Sequence, residues 1–397
     1  MDENSAPSPT PDNLEKKENI LKSLISKFKN FSKRKPSKKH LAVVSGISLG
    51  VLVFGVGALQ FYGPKAAEPN PEPQIESTYV APPPEPTTVA SRLTGVQVEP
   101  ALNERAVTGI MIENSIDARP QAGLVDAGVV FEAIAEGGIT RFLALYQEAQ
   151  PDHLGPIRSA RPYYVQWARG FDAAYAHSGG SGEALALIPA IGVKDLDHGR
   201  HSGSFDRVSN RFAPHNVYTS MARLDSLRAS LGYTASDFTG FERLAPPVVT
   251  EEAEVDAEPT VPAAPVVEKA NTISFDISSH NYNTSYTYNP ETNKYARVMA
   301  GKPHVDERSG AQIQPSVVIA AVMSFGIHPD RIHSAYGNIG SGEATIYQHG
   351  EVLRGKWSKP NATAELKFTT TAGEPLELQP GQTWITAIPA GRFSHAL

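Results

Sequence analysis

Apolar residues follow one another without a charge from Leu41 to Tyr62, and a basic tail precedes them. As an α-helix this run spans about 33 Å, enough to cross a hydrocarbon core of about 30 Å. The positive charge before the run predicts a cytoplasmic tail (residues 1–40), a single transmembrane helix (residues 41–62) and an extracytoplasmic location for everything that follows. The alternative is a cleaved signal peptide, whose apolar run would be shorter and would end at a small-residue cleavage site.

Two proline-rich polar segments divide the remainder of the chain. Residues 63–91 mix proline with Glu, Thr and Ala, a composition that favours an extended stalk of up to about 80 Å. Residues 244–269 are acidic and rich in Pro, Ala and Val, which predicts a second linker. The pattern therefore predicts two folded modules, at residues 92–243 and 270–397.

Short runs of apolar, β-branched and aromatic residues predict strands in both modules. In the first module, Gly137-Gly138 also marks a two-residue hairpin turn between two such runs. The predicted strands of the first module are residues 107–112, 129–136, 140–147 and 173–176. Those of the second module are residues 273–277, 285–288, 294–299, 317–323, 344–348 and 383–388.

Helix signals occur in the first module. Ser181 can cap one helix, Thr219 or Ser220 can cap another, and Pro162 suits the first turn of a third. The pattern thus predicts an α/β (mixed α+β) first module followed by a mostly β second module.

Composition narrows the chemistry that is available. The 397-residue chain has a net charge of −6, which argues against a nucleic-acid partner. It has no cysteine, which excludes disulfides, thiolate metal sites, a cysteine nucleophile and a lipid-modified cysteine.

The predicted hairpin carries two carboxylates and an arginine. With a two-residue turn, Glu132 pairs with Leu143, and this register places Glu132, Glu136 and Arg141 on one face. The two glutamates would lie about 13 Å apart along one strand, beyond the roughly 5–9.5 Å used by glycosidases. We therefore favour a bridge from Arg141 to both glutamates over a catalytic pair.

Arg158 and Arg161 precede the helix predicted at Pro162, so both guanidinium groups would lie at its positive end. Such arginines suit a carboxylate or phosphate ligand, because each can bind these groups bidentately. The alternative is internal ion pairing, for example with Glu113 or Asp117. The sequence leaves both interpretations open.

A glycine-rich turn from His177 to Glu183 follows a predicted strand and leads into a predicted helix. Its glycines allow a ligand to approach closely, and the helix amides favour an anion. A serine nucleophile at Ser178 or Ser181, with His177 or His215 as base, has less support, since neither serine fits the Gly-x-Ser-x-Gly elbow. A turn in which Ser181 caps the helix is the simpler interpretation.

Two further polar clusters are candidate sites: His215-Asn216, just before the last predicted helix, and His304-Val305-Asp306 in the second module. Histidines are also potential zinc ligands, but His198 and His201 stand three apart across a glycine, which is a poor ligand pattern. We therefore predict neither a metal nor a cofactor.

Several motifs resemble the YerB-like envelope proteins. In the first module they are Ile112-Glu113-Asn114, Ala118-Arg119-Pro120-Gln121-Ala122-Gly123-Leu124, Glu136-Gly137-Gly138-Ile139-Thr140-Arg141-Phe142, Gly155-Pro156-Ile157-Arg158-Ser159-Ala160-Arg161-Pro162 and Pro214-His215-Asn216-Val217-Tyr218-Thr219-Ser220. In the second module they are Arg297, Gly301, His304-x-Asp306 and Pro380-Gly381-Gln382-Thr383-Trp384. The resemblance implies a pair of domains of unknown function, often carried on lipoproteins. It supplies no catalytic residues, and the lipid-accepting cysteine of such proteins is missing here.

We expect a membrane-anchored extracytoplasmic binding or accessory protein of the cell envelope, acting near peptidoglycan or its enzymes. The alternative is an envelope hydrolase that acts on a glycan or peptide through acidic and histidine residues of the first module. An open cleft surrounded by these groups would favour the enzyme, and mutual ion pairs among them would favour the binding protein. The candidate ligand-binding residues are Glu113, Asp117, Arg119, Glu132, Glu136, Arg141, Arg158, Arg161, His177, Ser181, Glu183, His215, Asn216, His304 and Asp306.

Overall fold

A computed structural model of the chain describes residues 87–245 and 268–397. The predicted cytoplasmic tail, the predicted transmembrane helix (residues 41–62), most of the stalk and most of the acidic linker lie outside these residues. None of the helices that are described is both long and apolar enough to span a bilayer.

The first module is mixed α/β, as predicted. Its strands are β1 (Val89–Ala90), β2 (Gln97–Val98), β3 (Thr108–Glu113), β4 (Val129–Glu136), β5 (Ile139–Tyr146), β6 (Ala174–His177), β7 (Lys194–Asp197), β8 (Asp206–Arg207) and β9 (Val217–Tyr218). Its helices are α1 (Pro100–Asn103), α2 (Pro162–Gly170), α3 (Gly182–Ala190) and α4 (Met221–Ser230), with 3₁₀ turns at Ile116–Ala118, Leu124–Asp126 and Ser202–Ser204.

In the second module, all the regular secondary structure that is described consists of β-strands. They are β10 (Thr272–Phe275), β11 (Thr284–Asn289), β12 (Lys294–Met299), β13 (Lys302–Pro303), β14 (Val317–Val322), β15 (Phe325–Ile327), β16 (Ser334–Tyr336), β17 (Gly340–Gln348), β18 (Glu351–Lys359), β19 (Lys367–Thr370), β20 (Thr383–Ile388) and β21 (Phe393–Ala396).

The two modules share one ten-stranded sheet, with the order β19-β18-β17-β14-β20-β4-β5-β3-β6-β7. They meet at the parallel pair β20–β4, where Thr383 lies opposite Val129 and Thr386 lies opposite Glu132. A five-stranded antiparallel sheet, β13-β12-β11-β10-β21, belongs to the second module alone. The modules that look separate along the sequence therefore form one compact unit.

Both faces of the ten-stranded sheet are buried, which explains why its central strands are continuously apolar. On one face, Phe131 of β4 stacks on Trp167 of α2 with ring centroids 5.0 Å apart. On the other face, Phe142 of β5 packs edge-on against Trp384 of β20, in a core that also contains Tyr286 of the five-stranded sheet. Each module thus supplies side chains to both cores.

The predicted hairpin is present, but its register differs from the prediction. A β-bulge beside Glu136 shifts the pairing by one residue, so that Glu132 lies opposite Phe142 rather than Leu143. A one-residue shift moves a strand's side chains to the other face, and Glu132 therefore lies on the opposite face from Arg141. The prediction that Glu132, Glu136 and Arg141 share one face is wrong.

The predicted helix starts are confirmed. Pro162 occupies the first turn of α2. The Ser181 hydroxyl accepts a hydrogen bond from the amide of Ala184 at 3.3 Å, and the Ser220 hydroxyl caps α4 in the same way. These bonds satisfy amides that the helices cannot pair internally.

The described ends of both predicted linkers take part in the fold. Val89–Ala90, within the predicted stalk, pairs with β2. At the acidic linker, the amide of Leu244 donates to the carbonyl of Leu378 at 3.0 Å, and Lys269 pairs with Glu351 at 2.7 Å. The two linkers predicted from the sequence therefore include a few residues that belong to the folded unit.

Candidate functional site

Charged side chains gather at one edge of the ten-stranded sheet. Strands β3, β6 and β7 are parallel, and β3 and β4 both run antiparallel to β5, so these four strands end at the same edge. Their last residues are Glu113, Glu136, His177 and Asp197. We call these strand ends, together with the segment 157–161 that bridges β3 and the residues after β6, the carboxyl edge. Ligands of open α/β sheets bind at such an edge.

Glu113 is buried and gathers three polar side chains around its carboxylate. Its Oε1 lies 3.0 Å from Nε of Arg158, and its Oε2 lies 3.0 Å from Nδ1 of His215. Ser115 donates a hydrogen bond to Oε1 at 3.0 Å. One quarter of the Arg158 side chain is exposed, and its Nη atoms have no hydrogen-bond partner in residues 87–245 and 268–397. Arg158 is therefore paired with an internal carboxylate and at the same time partly exposed to solvent.

Glu136 pairs with the other two arginines of the carboxyl edge. Arg161 donates from Nε to Oε2 at 3.1 Å and also from Nη2. Arg141 contacts the other oxygen and donates to the carbonyl of Ser159 at 2.9 Å. Burial raises the pKa of Glu136, but the charges of Arg141 and Arg161 outweigh it and hold that pKa below its usual value. Arg141 therefore binds Glu136 and does not bridge to Glu132.

His177 is fully buried and held by two acceptors. Its Nε2 lies 3.0 Å from the carboxylate of Asp195, and its Nδ1 lies 2.8 Å from the carbonyl of Gly179. Burial raises the pKa of Asp195, but the hydrogen bond and charge of His177 lower it further than that. Because both ring nitrogens are engaged, His177 has no free nitrogen with which to act as a base.

The serines do not form a catalytic triad. The hydroxyl of Ser178 lies 3.0 Å from Nδ1 of His198, a histidine that the sequence had suggested only as a weak metal ligand. No carboxylate contacts the other ring nitrogen of His198 in the described part of the chain, and burial lowers its pKa. Ser115 and Glu113 contact the same Nδ1 of His215, whereas a triad histidine uses different nitrogens for serine and acid.

The remaining first-module candidates lie apart from these clusters. Asp117 is exposed, and none of the described arginines pairs with its carboxylate. Glu183 is largely exposed and lies 3.1 Å from Nε2 of His328 of the second module. Asn216 accepts a hydrogen bond from Arg207 at 2.7 Å and orders the loop before α4. Asp117, Glu183 and Asn216 therefore do not contribute to one shared ligand site.

A buried polar cluster joins the two modules on the other face of β4. The fully buried side chains of Glu132 and Arg297 form an ion pair, with Nη2 2.8 Å from Oε2. Trp384 donates to the same oxygen at 3.0 Å. Arg297 donates from Nε to Nδ1 of His304 at 3.0 Å, so that Nε2 of His304 donates to Gln121 at 2.9 Å. This arrangement places Glu132 and His304 in a structural role.

Burial and the charge of Arg297 lower the pKa of His304 well below its usual value, which keeps the ring neutral. Asp306, two residues later, accepts from the amide of Gly123 at 2.6 Å and from the amides of Arg308 and Ser309 at 3.0 Å. It therefore fixes a turn and attaches that turn to the first module.

A cleft of about 490 Å³ opens between the modules, with His304 in its wall. Arg119 lies in this cleft and donates from Nε and Nη2 to Asn114 at 3.0 and 2.9 Å. Its guanidinium carbon lies 5.0 Å from the ring centroid of Tyr282, and burial lowers its pKa. The other lining residues include Ile116, Pro120, His280, Met299, Lys302 and Pro303.

No group of three His, Asp or Glu side chains in the part of the chain that the structure describes is arranged to hold a metal ion. Of the two histidines weighed as zinc ligands, His198 contacts the Ser178 hydroxyl, and the neighbouring His177 and His215 have carboxylate partners of their own, Asp195 and Glu113.

Comparison with known proteins agrees with this two-part architecture. Two family models match in succession: the N-terminal domain of Protein of unknown function (DUF3048) at residues 93–234, and the corresponding C-terminal domain at residues 273–385. The protein named "Putative lipoprotein YerB" of Bacillus subtilis (strain 168) is 29% identical over 301 residues, which cover 75% of this chain and 85% of that protein. The chain belongs to the YerB-like family.

A solved structure extends this similarity to the fold. The crystal structure of the YerB protein from Bacillus subtilis matches with a TM-score of 0.67 and 26% identity, covering 78% of this chain and 100% of that chain. The resemblance inferred from the motifs is therefore confirmed. The motif residues include all three arginines of the carboxyl edge, Arg141, Arg158 and Arg161, together with Glu113 and Glu136, so the YerB-like motifs contribute to the ion pairs described above.

Some site residues could not be found from the sequence. Asp195 and Asp197 lie on β7, a four-residue strand whose charged residues indicate a solvent-exposed loop. The sequence signal for these two aspartates was their spacing, because residues two apart on a strand place their side chains on the same face. Lys302 and His280 of the cleft carry no motif, and only the packing of the two modules brings them near Arg119.

Proposed function

We propose that this chain is a membrane-anchored extracytoplasmic protein of the cell envelope that binds an anionic group of peptidoglycan at the carboxyl edge. The supporting observation is an imbalance of charge. Three guanidinium groups, those of Arg141, Arg158 and Arg161, contact only two carboxylates, those of Glu113 and Glu136. Asp197 at the end of β7 contacts none of these three arginines in the described residues, and Arg158, with a quarter of its side chain exposed, is the member of the three that a ligand can reach.

The geometry of Arg158 supports this role. Its Nε lies 3.0 Å from the carboxylate of Glu113 without a hydrogen bond between them, and its Nη atoms make no hydrogen bond in the described residues. The ion pair keeps the guanidinium at the carboxyl edge, and its nitrogens remain available to a carboxylate or phosphate. Arg161 and Arg141, by contrast, have side chains only 5% and 4% exposed and serve to hold Glu136.

The anchoring part of the proposal rests on two observations. The Bacillus subtilis relative carries the name of a lipoprotein. This sequence has no cysteine to accept a lipid, but it has the uncharged apolar run from Leu41 to Tyr62. We propose that this run serves as the membrane anchor and that the proline-rich stalk holds the folded unit at a distance from the bilayer.

Binding fits the geometry better than hydrolysis. The acids and histidines that a hydrolase would use are engaged with one another: Glu113 with His215, Glu136 with two arginines, and His177 with Asp195. A general base needs a lone pair free to accept a proton from water or substrate. Both ring nitrogens of His177 are engaged and Glu136 is held by two arginines, whereas Nε2 of His215 makes no hydrogen bond in the described residues.

The binding proposal is tested with the full-length chain in detergent, sedimented with purified cell-wall sacculi. Arg158→Gln is expected to lower the affinity about tenfold to a hundredfold, the cost of one charge-assisted contact. The matched control is Arg223→Gln. This substitution removes a more exposed arginine, on α4, from its ion pair with Asp206. Equal sedimentation of native protein and Arg158→Gln, or no sedimentation of native protein, would overturn the proposal.

The anchor is tested separately by adding protease to spheroplasts. We expect the region after Tyr62 to be removed and cutting to begin in the proline-rich stalk. Protection of that region would contradict the proposed orientation.

A further inference from the structure

We propose that the cleft between the modules is a second ligand site, which takes a small molecule with one anionic end group, a carboxylate or a phosphate, on a compact apolar body. This site is separate from the carboxyl edge, and the inference does not rest on the proposed function.

The charge of the lining selects an anion. Arg119 projects from the first module and Lys302 from the second, while none of the residues that line the cleft is Asp or Glu. The hydrogen-bond acceptor for Arg119 is the neutral Asn114 rather than a carboxylate. Lys302 is exposed and makes no ion pair with any described carboxylate. Two cations therefore face one space, and neither forms an ion pair with a described carboxylate; the charge of buried Glu132 acts on Arg119, but Glu132 is itself paired with Arg297.

Arg119 is positioned in advance for such a ligand. Asn114 accepts from its Nε and Nη2, and Tyr282 packs against the guanidinium plane at 5.0 Å. Nη1 has no hydrogen-bond partner in the described residues. Asn114 is itself held by Thr140 at 2.7 Å. Because these contacts fix the side chain before a ligand arrives, little rotamer entropy remains to be lost on binding.

The rest of the lining suits an apolar body. Met299 is buried at the cleft and contacts the amide of Asn114 through its sulfur at 3.4 Å, while Ile116 is 56% exposed at the rim. Pro120 and Pro303 add rigid apolar surface from the two modules. A volume of about 490 Å³ lies in the range of small-molecule sites. A largely apolar wall with a few placed polar groups is typical of such sites.

The test uses isothermal titration calorimetry on the full-length chain in detergent with three probes. N-acetyl-alanyl-alanine carries a carboxylate on a small apolar body, its C-terminal amide has the same body without charge, and n-propyl phosphate carries a phosphate on an apolar body. We expect at least one anion to bind and, where the dipeptide acid binds, its amide to bind at least tenfold more weakly. Preference for the dipeptide assigns a peptide carboxylate, and preference for n-propyl phosphate assigns a phosphate. Failure of both anions to bind, or measurable and equal binding of acid and amide, would refute the site.

Variants locate the binding. Lys302→Gln and Arg119→Gln are each expected to weaken binding of the anion about tenfold or more. Lys302 is exposed, so its substitution leaves the fold intact even where Arg119→Gln perturbs the packing on Tyr282. The matched control is Lys294→Gln, an exposed lysine at the other end of β12, which should bind as the native protein does. Native affinity in Lys302→Gln would overturn the proposal.

The two sites are distinguished by Arg158→Gln, which should bind the cleft probes with native affinity. Loss of sacculus binding with intact cleft binding in this variant is the result expected for two separate sites. Unchanged sacculus binding would remove the proposed function and leave this inference standing, whereas failure of the native protein to bind the cleft probes would remove the cleft site alone.

Discussion

The carboxylate of Glu132 lies 2.8 Å from the guanidinium of Arg297, and neither side chain has any exposed surface. Glu132 belongs to the hairpin of the first module and Arg297 to the five-stranded sheet of the second. Desolvating two charges is costly, and such a pair is tolerated only when every remaining donor and acceptor is satisfied. Trp384, Thr140, Tyr286 and His304 provide those partners.

Replacing Glu132 with Gln should destabilise the protein by about 3–5 kcal/mol, because it leaves the buried guanidinium of Arg297 without its counter-charge. Urea unfolding of native and variant protein measures the difference in unfolding free energy. The control is Asp276→Asn, which breaks an exposed pair with Arg392 and should change stability by less than about 1 kcal/mol. A loss in Glu132→Gln as small as in the control would show that the buried pair contributes little.

Acid should weaken the fold through His304. Its folded pKa lies well below the usual value of about 6.5, so the unfolded chain takes up this proton first as the pH falls. The contribution of neutral His304 to the free energy of unfolding is present in full above about pH 6.5. It decreases towards lower pH, with a slope of about 1.4 kcal/mol per pH unit for one proton.

The measurement is the free energy of unfolding at pH 7, 6 and 5 for native protein and His304→Gln. The variant should lose stability at pH 7, where it lacks the native hydrogen bonds, but should show a shallower decrease between pH 6.5 and 5. Identical slopes would mean that His304 does not titrate differently in the folded and unfolded states.

Arg161 and Arg158 should respond differently to the same conservative change. Arg161→Lys removes a buried fork that contacts Glu136 through two nitrogens, so the melting temperature should fall while sacculus binding per folded molecule stays the same. Arg158→Lys should instead retain the melting temperature and lose affinity. Thermal denaturation and sedimentation of both variants give the four values needed. Unchanged stability of Arg161→Lys with weakened binding would reverse the assigned roles.

Cutting the acidic linker should leave the two modules together. A protease site introduced within residues 246–267 separates the chain into two pieces, but β20 remains paired with β4 and Glu132 with Arg297. We expect both pieces to elute as one species in size-exclusion chromatography and to melt within a few degrees of the uncut protein. A Gly/Ser replacement of the same length, left uncut, is the control. Separation into two independent species would show that the shared sheet needs a covalent connection.

Local signals predicted local structure well. Gly137-Gly138 marked the β4–β5 hairpin, and Pro162, Ser181 and Ser220 marked three helix starts, because turn and cap preferences depend on neighbouring residues. The bulge beside Glu136 left no such signal, and it decided which face Glu132 occupies.

Contacts between segments that lie far apart in the chain could not be predicted from the sequence. The parallel pairing of β20 with β4 depends on contacts between segments far apart in the chain, and the acidic linker between them suggested independent modules. The nine-residue strand β18 was missed because Gly355 and its charged residues interrupt the apolar pattern. The cleft at Arg119 exists only after the modules pack, so lining residues such as His280 and Lys302 could not be assigned to it in advance.

The β20–β4 pair also sets the order in which the protein can mature. The side chain of Gln382, the residue just before β20, donates to the carbonyl of Ala127, 255 residues earlier. Until that late segment has been synthesised and, in the proposed topology, exported, the hairpin of β4 and β5 has an open hydrogen-bonding edge beside apolar side chains. Unpaired edges of this kind promote association between nascent chains. A chain truncated before Thr383 should therefore aggregate even though every residue matched by the N-terminal family model is present.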